Sequence, residues 1–474
     1  MGEAERFDLV VIGAGPGGYV AAVRGTQLGM KVCCVDKDAK PGGVCLNVGC
    51  IPSKALLDSS EYLHLAREHF REHGVLLSEV KLDLRAMMAR KERVVRELTD
   101  NVRTLLESNG VHLLRGTARL VGATRVEVTP GAPATGPVLL DSRFILLATG
   151  SEPVALPSAP WDGIRILTST EALSLDSVPE RLGVIGAGYI GLELGSLWQR
   201  LGSTVTILEA MSRIAPPADA QVGRALERAL RKQGLVFRLG TKLIEARPAE
   251  EEVKVSIESD GGREDLAFDR LLVAVGRRPL TRGLGLEDVG VAVDSRTGHV
   301  RVDAQYRTSV PGIWAVGDLI AGPMLAHKAS AEGIAAVECM AGLPGEVDYD
   351  CIPSAIYTSP EIAGVGLTEE QAKERSIPYC VGTYPFSGAG RARCLGRADG
   401  FAKVLAHGRS GRILGAHILG PRASDLIAEC VLAMQVGGSA EDLAGTIHGH
   451  PTLSEAVHEA AAAVRRCSIY APRP

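Results

Sequence analysis

The chain carries the same glycine-rich turn twice, each time between two apolar runs and each time closed by an acid, and few architectures accommodate that. The first copy runs from Phe7 through Gly13, Gly15 and Gly18 into a small-residue helical pattern reaching Gly29, then an apolar stretch Lys31 to Val35 and Asp36. The second runs from Arg181 through Gly186, Gly188 and Gly191, a helical pattern to Gly202, an apolar stretch Thr204 to Leu208 and Glu209. The same number of positions separates Gly13 from Asp36 and Gly186 from Glu209. Glycines at this spacing let the backbone approach a pyrophosphate, the helix N-terminus offers free N–H groups to it, and an acid about 20 residues on accepts from a ribose 2′-hydroxyl. One such string alone is a weak signal; two in register predict a pair of homologous dinucleotide-binding folds. Later segments repeat as well: Ile145 to Pro153, containing Thr149 and Gly150, and Leu271 to Pro279, containing Gly276, both read as buried strands ending in glycine and proline.

A chain of 474 residues exceeds one hydrophobic core, and 55 glycines with 4% aromatics suit an α/β protein rich in tight turns. The 52 basic and 56 acidic residues are spread along the chain, leaving a formal charge of −4 and no electrostatic footprint for nucleic acid or an anionic membrane. The opening Met-Gly-Glu-Ala-Glu-Arg runs straight into Phe7, without a signal or transit pattern, and no apolar run reaches the roughly 20 residues of a membrane span. The expectation is a cytoplasmic protein. Along the chain, Leu84 to Ser108 reads as a charged helix, and Thr117 to Val128 and Val253 to Ile257 as strands of small sheets. From Tyr349 onward, strands at Phe401 to Leu405 and Ile413 to Ile418 and helices at Ser424 to Gln435 and Ser454 to Ala463 predict a separate α+β domain. Its Ala-rich helices suit a core or a subunit interface equally.

Ten cysteines in a reducing compartment are not a structural disulfide framework, so a close pair is a catalytic or metal candidate. Cys45 and Cys50 stand four residues apart with Gly49 between them, ahead of a helix whose first turn holds Pro52. A helix N-terminus favours the thiolate of Cys50 and primes it for electron transfer. Half of a zinc site or two unrelated thiols are the alternatives; zinc requires further ligands, and the next histidine is His64. Lys54 lies one helical turn beyond Cys50 and either brings positive charge to the pair or is simply exposed.

Two more places suit chemistry. Gly312 to Asp318 reads as a strand ending in glycine and an acid, so Asp318 either faces a ligand at the strand's carboxyl end or caps the next helix. His448-Gly-His450-Pro-Thr-Leu-Ser-Glu455 is a loop entering a helix, with Thr452 or Ser454 as cap. A dithiol becomes nucleophilic only as thiolate, and an imidazole oriented by a carboxylate is a suitable base near neutral pH. Taken alone, such a loop is more often a filler or an adventitious metal site.

With Gly13 to Gly18, Val44 to Lys54, Gly186 to Glu209, Ala315 to Asp318 and His450 to Glu455 in place, essentially the whole chain resembles the dihydrolipoamide dehydrogenases, class I pyridine nucleotide-disulfide oxidoreductases. The resemblance implies an α/β protein with two Rossmann-like dinucleotide-binding domains and an α+β C-terminal dimerisation domain. Its divisions would be an FAD-binding domain over 1–150, an NAD-binding domain over 151–278, a central domain over 279–348 completing the FAD site, and an interface domain over 349–474. It implies one FAD per subunit, NAD as acceptor, an obligate homodimer, no metal, and lipoylated proteins of 2-oxo acid dehydrogenase or glycine cleavage complexes as partners.

The resemblance also assigns roles. Cys45 would exchange with the substrate thiol and Cys50 would contact the flavin, with His450 and Glu455 arriving from the second subunit as base and orienter. Lys54 would sit beside the flavin, paired with Glu193. Gly13, Gly15, Gly18, Asp36, Gly116, Thr149, Gly150, Asp318 and the stretch Met324, Leu325, Ala326 and His327 would hold FAD. Gly186, Gly188, Gly191, Glu193, Glu209 and Gly276 would hold NAD. Glu209 carries its own argument, since a carboxylate accepts from a free 2′-hydroxyl and repels a 2′-phosphate. That disfavours a glutathione reductase, and Cys467 standing without a neighbouring cysteine disfavours a mercuric reductase. Cys45 argues against a transhydrogenase, and the intact catalytic set against a dead scaffold subunit. Asp36 is shorter than the family's usual Glu, Val44 replaces a more common Thr, and the Gly/Arg-rich Ser387 to Gly396 has no functional account.

Overall fold

The computed structural model describes residues 5–131 and 136–470, so Met1–Ala4, on which the expected absence of a leader partly rests, lies outside the described residues. Two compact units draw on interleaved stretches of chain: 1–55, 86–154 and 276–347 form one, and 56–85, 155–275 and 348–474 the other.

In the first unit, Leu9, Val10 and Val11 are wholly buried within the strand Glu5–Ile12. A strand covered on both faces reads as a continuous apolar run, as parallel sheets require. It pairs in parallel with Val32–Asp36 and with Val138–Leu147, which in turn pairs with Ile313–Ala315. The segment read as one strand from Thr117 to Val128 is a hairpin, His112–Gly122 returning as Arg125–Pro130, and it belongs to this same six-stranded sheet. Gly122 ends the first strand, so the alternation resumes in the opposite direction. The helix Leu84–Ser108 spans the residues expected of it, burying Val95, Thr99, Val102 and Leu106 at helical spacing. The helix Pro16–Gln27 lies against Ala326–Met340 through facing small residues, where a Cβ on Gly333 would come within 2.4 Å of the Gly17 carbonyl oxygen.

Beyond the main sheet, Ser151–Pro153 and Arg277–Pro279 form a short antiparallel ribbon in which Arg278 stands opposite Glu152. These are the segments that leave the two repeated glycine–proline strands.

In the second unit, Val236–Arg238, Thr204–Leu208, Arg181–Ile185, Arg270–Val273 and Ile166–Leu167 make a five-stranded parallel sheet. Over it packs the helix Tyr189–Leu201, buried along most of its length, whose Trp198 donates its indole N–H to the Ala172 carbonyl at 3.1 Å. An antiparallel three-stranded sheet follows, Val253–Ser259 at its centre. The C-terminal part has a five-stranded antiparallel sheet including Phe401–His407 and Ile413–Gly420, with helices Ala423–Gln435 and Glu455–Val464 packed on it. This is the α+β arrangement expected there.

Lys403, wholly buried in Phe401–His407, aims its ammonium at both oxygens of Asp219 (2.9 and 3.1 Å) and at Glu369 (2.7 Å). Asp219 also caps the helix Ala220–Lys232 by accepting from the Gln221 amide at 3.0 Å, and accepts from the Glu369 amide at 3.2 Å. One buried cation thus ties the starts of two helices to the antiparallel sheet. Hydrogen bonds from Lys373 and then Lys403 hold the Glu369 carboxyl down to about 2. A carboxyl depressed by folding stabilises the protein in full above its ordinary value of 4.5, and that contribution is lost as the pH falls from there through about 2. Melting temperature measured across this window should therefore fall less steeply with acid in Glu369→Gln than in the wild type, from a lower starting value at neutral pH.

Candidate active site

Each glycine turn is built by contacts that leave no room for a side chain. Gly13 sits at φ +105°, where a Cβ would meet the Ala148 carbonyl oxygen at 2.4 Å; Gly186 sits at φ +102°, where it would meet that of Ala274 at 2.5 Å. A Cβ on Gly18 would lie 1.8 Å from the Gly13 carbonyl oxygen, and one on Gly191 2.0 Å from that of Gly186. Gly15 and Gly188 directly precede the helices Pro16–Gln27 and Tyr189–Leu201 as extended N-caps. No side chain caps either helix; in the first, Pro16 has no N–H and Gly18 and Tyr19 donate to the Gly15 carbonyl at 2.9 Å, so the Gly17 amide there and the leading amides of the second helix are left for a ligand.

The acid that closes each turn is anchored in the same way. Asp36 accepts from the Ala14 amide at 2.6 Å and the Asp38 amide at 2.9 Å; Glu209 accepts from Ala187 at 2.7 Å and Met211 at 2.8 Å. Burial raises the Asp36 carboxyl from its usual value against the pull of those two amides. Both turns thus present what a dinucleotide needs: a glycine cradle for the pyrophosphate, free amides and a fixed carboxylate for the ribose.

Above the first turn stands the cysteine pair. Cys50 is the first residue of the helix Cys50–Glu68, as expected, and Cys45 lies on a short helix of its own, Gly43–Val48. Gly49 breaks the two apart, and a Cβ there would come within 2.9 Å of the Val44 carbonyl oxygen. Both cysteines are free thiols, Cys45 half-buried and Cys50 exposed. They are hydrogen-bonded to each other, and that bond, then burial, pushes the Cys45 thiol far up, while the Lys54 ammonium works the other way. Lys54 is therefore near the pair.

At the carboxyl end of Ile313–Ala315, Asp318 lies in a single turn of 3₁₀ helix and accepts from the Ser151 hydroxyl at 2.5 Å. Ser151 in turn receives the Arg277 guanidinium, at 2.8 Å on its hydroxyl and 2.6 Å on its carbonyl. Burial lowers Arg277, countered by the charges of Asp318 and Cys50. Neither Ser151 nor Arg277 is among the residues singled out from sequence. Superposing the two repeats would have drawn attention to them, because each follows the glycine at the end of its strand. The Thr149 hydroxyl donates to the Leu280 carbonyl at 2.8 Å, and Gly150 and Gly276 both have positive φ. Gly116 is in the hairpin, where a Cβ would strike Val128 at 2.5 Å, so strand packing alone requires glycine there. Met324 and Leu325 lead into Ala326–Met340, with Leu325 as N-cap and Ala326 and His327 in its first turn.

In the second unit, Glu193 is buried and accepts from the Tyr357 amide at 3.0 Å. His450 is exposed, its Nδ1 2.8 Å from Glu455, whose other oxygen accepts from the Thr452 amide at 2.8 Å. Burial opposes ionisation of Glu455, yet these two hydrogen bonds hold its carboxyl below the ordinary value. With Nδ1 engaged, Nε2 is the nitrogen left to take a proton. Ser454 is the N-cap of the following helix, but its side chain bonds the Thr452 hydroxyl instead of the helix.

Residues 7–333 match the family model described as pyridine nucleotide-disulphide oxidoreductase, and residues 352–461 match that family's dimerisation domain. The chain is 49% identical to dihydrolipoyl dehydrogenase 3 of Pseudomonas aeruginosa, covering 96% of this chain and 97% of the relative. It is 47% identical to the mitochondrial dihydrolipoyl dehydrogenase of Bos taurus, covering 96% and 89%. It is also 46% identical to a leghemoglobin reductase of Vigna unguiculata, covering 97% and 88%. Among solved structures, LpdA of Mycobacterium tuberculosis superposes with a TM-score of 0.88 at 28% identity, covering 97% of this chain and 99% of that one. Among the described residues, no helix is long and apolar enough to cross a membrane, and no three His, Cys, Asp or Glu side chains gather as a metal site.

With FAD expected at the first turn and NAD at the second, the two should be separable by mutation. Gly191→Val forces a backbone shift costing about 1–3 kcal/mol, so NADH titrated by fluorescence should bind roughly ten- to hundredfold more weakly while the purified protein keeps its flavin absorbance. Gly18→Val should show the reverse pattern.

Proposed function

The chain belongs to the pyridine nucleotide-disulphide oxidoreductase family, and on that footing we propose that it oxidises protein-bound dihydrolipoyl groups and passes their electrons through Cys45, Cys50 and FAD to NAD. The observation that carries this reading is the contact between the two thiols at the start of a helix, with Lys54 close by. When bound, FAD supplies a carrier that takes two electrons from a thiolate and yields them as hydride to NAD.

The chain's own residues do the rest. In the oxidised pair, a substrate thiolate attacks the Cys45 sulfur; the Cys45–Cys50 bond breaks and Cys50 leaves as thiolate. The second substrate thiol then attacks the substrate sulfur of the mixed disulfide, releasing the cyclic lipoyl disulfide and returning Cys45 as thiolate. The two electrons gained now reside on the dithiol, and two protons have left the substrate. His450 accepts a substrate proton at Nε2, while Glu455 holds its tautomer and stabilises the imidazolium. In this reading, His450 reaches the cysteine pair from a second copy of the chain, consistent with the dimerisation domain.

The segment 1–150 serves as FAD domain, 151–278 as NAD domain, 279–348 as the completion of the FAD site and 349–474 as the dimer interface. Asp36 takes the FAD adenosine ribose and Asp318 the ribityl hydroxyls; Glu209 takes the NAD ribose and selects against a 2′-phosphate. Lipoylated subunits of 2-oxo acid dehydrogenase or glycine cleavage assemblies are the partners, and the cytoplasm is the compartment.

Two substitutions test the assignment. Cys50→Ser should abolish both lipoamide-dependent NAD reduction and the long-wavelength thiolate-to-flavin absorbance, and survival of either would refute it. His450→Gln should slow reduction by dihydrolipoamide in stopped flow by about 10²–10⁴-fold, leaving flavin content and NADH-to-dye turnover intact.

A further inference from the structure

Directly after the residues assigned to the flavin edge, the helix Ala326–Met340 buries a complete ion pair. Lys328 and Glu332 are both 0% exposed, and their charged ends meet at 3.0 Å. Both grip one glycine. The Gly317 amide donates to Glu332 at 2.8 Å, and the Gly317 carbonyl accepts from the Lys328 ammonium at 3.0 Å. That amide belongs to the peptide unit before Gly317 and that carbonyl to the unit after it, so the pair fixes both backbone torsions of the residue. Gly317 is at φ +74°, and a Cβ there would sit 3.2 Å from that of Ala329 on the same helix. The next residue is Asp318.

Stability does not explain this arrangement. Withdrawing two charges from water is costly, and apolar residues of similar volume generally serve a core as well or better. What an apolar pair cannot do is bind the two peptide units on either side of a left-handed glycine. We propose that Lys328 and Glu332 are positioning residues for the cofactor: they lock Gly317 so that the Asp318 carboxylate, held from its other side by Ser151, is fixed in place before FAD arrives. The inference rests on the reading of Asp318 as the ribityl ligand. It extends the flavin site to two residues that would not touch the flavin, and it gives one segment two tasks: Met324 to His327, leading into and opening the helix, border the ring, and the turn that follows fixes the acid.

The test is release of FAD from holoenzyme, followed as the rise in free-flavin fluorescence after dilution, for wild type, Lys328→Met and the double variant Lys328→Met/Glu332→Leu. Lys328→Met leaves the buried Glu332 carboxylate with the Gly317 amide but without its cation, so both melting temperature and FAD retention should fall. The double variant removes the stranded charge, so its melting temperature should recover toward wild type, yet FAD should still leave about tenfold faster or more, the size expected when buried charge-assisted hydrogen bonds are lost. A double variant that retains FAD within about twofold of wild type would show that the pair serves packing alone. Purified wild type that carries no FAD would instead overturn the flavin reading, and this inference with it.

Discussion

The constraint that governs both glycine turns is the approach of a helix to the turn that starts it. At Gly18 and again at Gly191, a single added carbon would fall within 1.8 and 2.0 Å of the carbonyl oxygen of the turn's first glycine, Gly13 and Gly186. Only with that space empty can the helix begin directly over the end of the strand and aim its unbonded amides outward. The closing acids, Asp36 and Glu209, are then fixed by amides of the same turns. The placing of both glycine cradles and their closing acids follows from these two close approaches.

In both units, charge is handled by fixed neighbours. The bond to Cys50, then burial, raises the Cys45 thiol, and the lysine that offsets this is one helical turn beyond Cys50. Asp318 is held by Ser151, and Ser151 by Arg277. His450 has its Nδ1 taken up by Glu455, which is itself steadied by the Thr452 amide. In each case a reactive or ligand-binding group has one face engaged by the protein and another left open. Preorganisation of this kind keeps the entropy of ordering out of the binding and chemical steps.

Much of this was legible in sequence because it depends on residues that have few substitutes. A glycine at φ above +100° or an acid at a set distance from a glycine turn leaves a mark, and both turns, the helix beginning at Cys50 and the His450–Glu455 pair were read from such marks. What escaped notice depended on long-range neighbours. The helical turn carrying Cys45 is too short for periodicity to reveal, and the hairpin within 112–130 reads as one strand because its alternation continues across Gly122. Ser151 and Arg277 are 126 positions apart and meet only through a two-stranded ribbon. Lys328 and Glu332 look in sequence like any solvent-exposed i,i+4 pair; nothing local signals that they are sealed from water.

That ribbon bears on how a protein with two similar halves can exist. Ser151-Glu152-Pro153 and Arg277-Arg278-Pro279 occupy equivalent places in the two repeats, and in the folded chain they lie side by side, with Glu152 accepting from Arg278 at 2.9 Å. Identical halves would have set like charges against each other here, a destabilising arrangement on neighbouring strands. The two repeats thus differ in charge where they cross, one acidic where the other is basic, and a chain with the same repeat at both places would forgo this pair at a cost of about 0.2–1 kcal/mol.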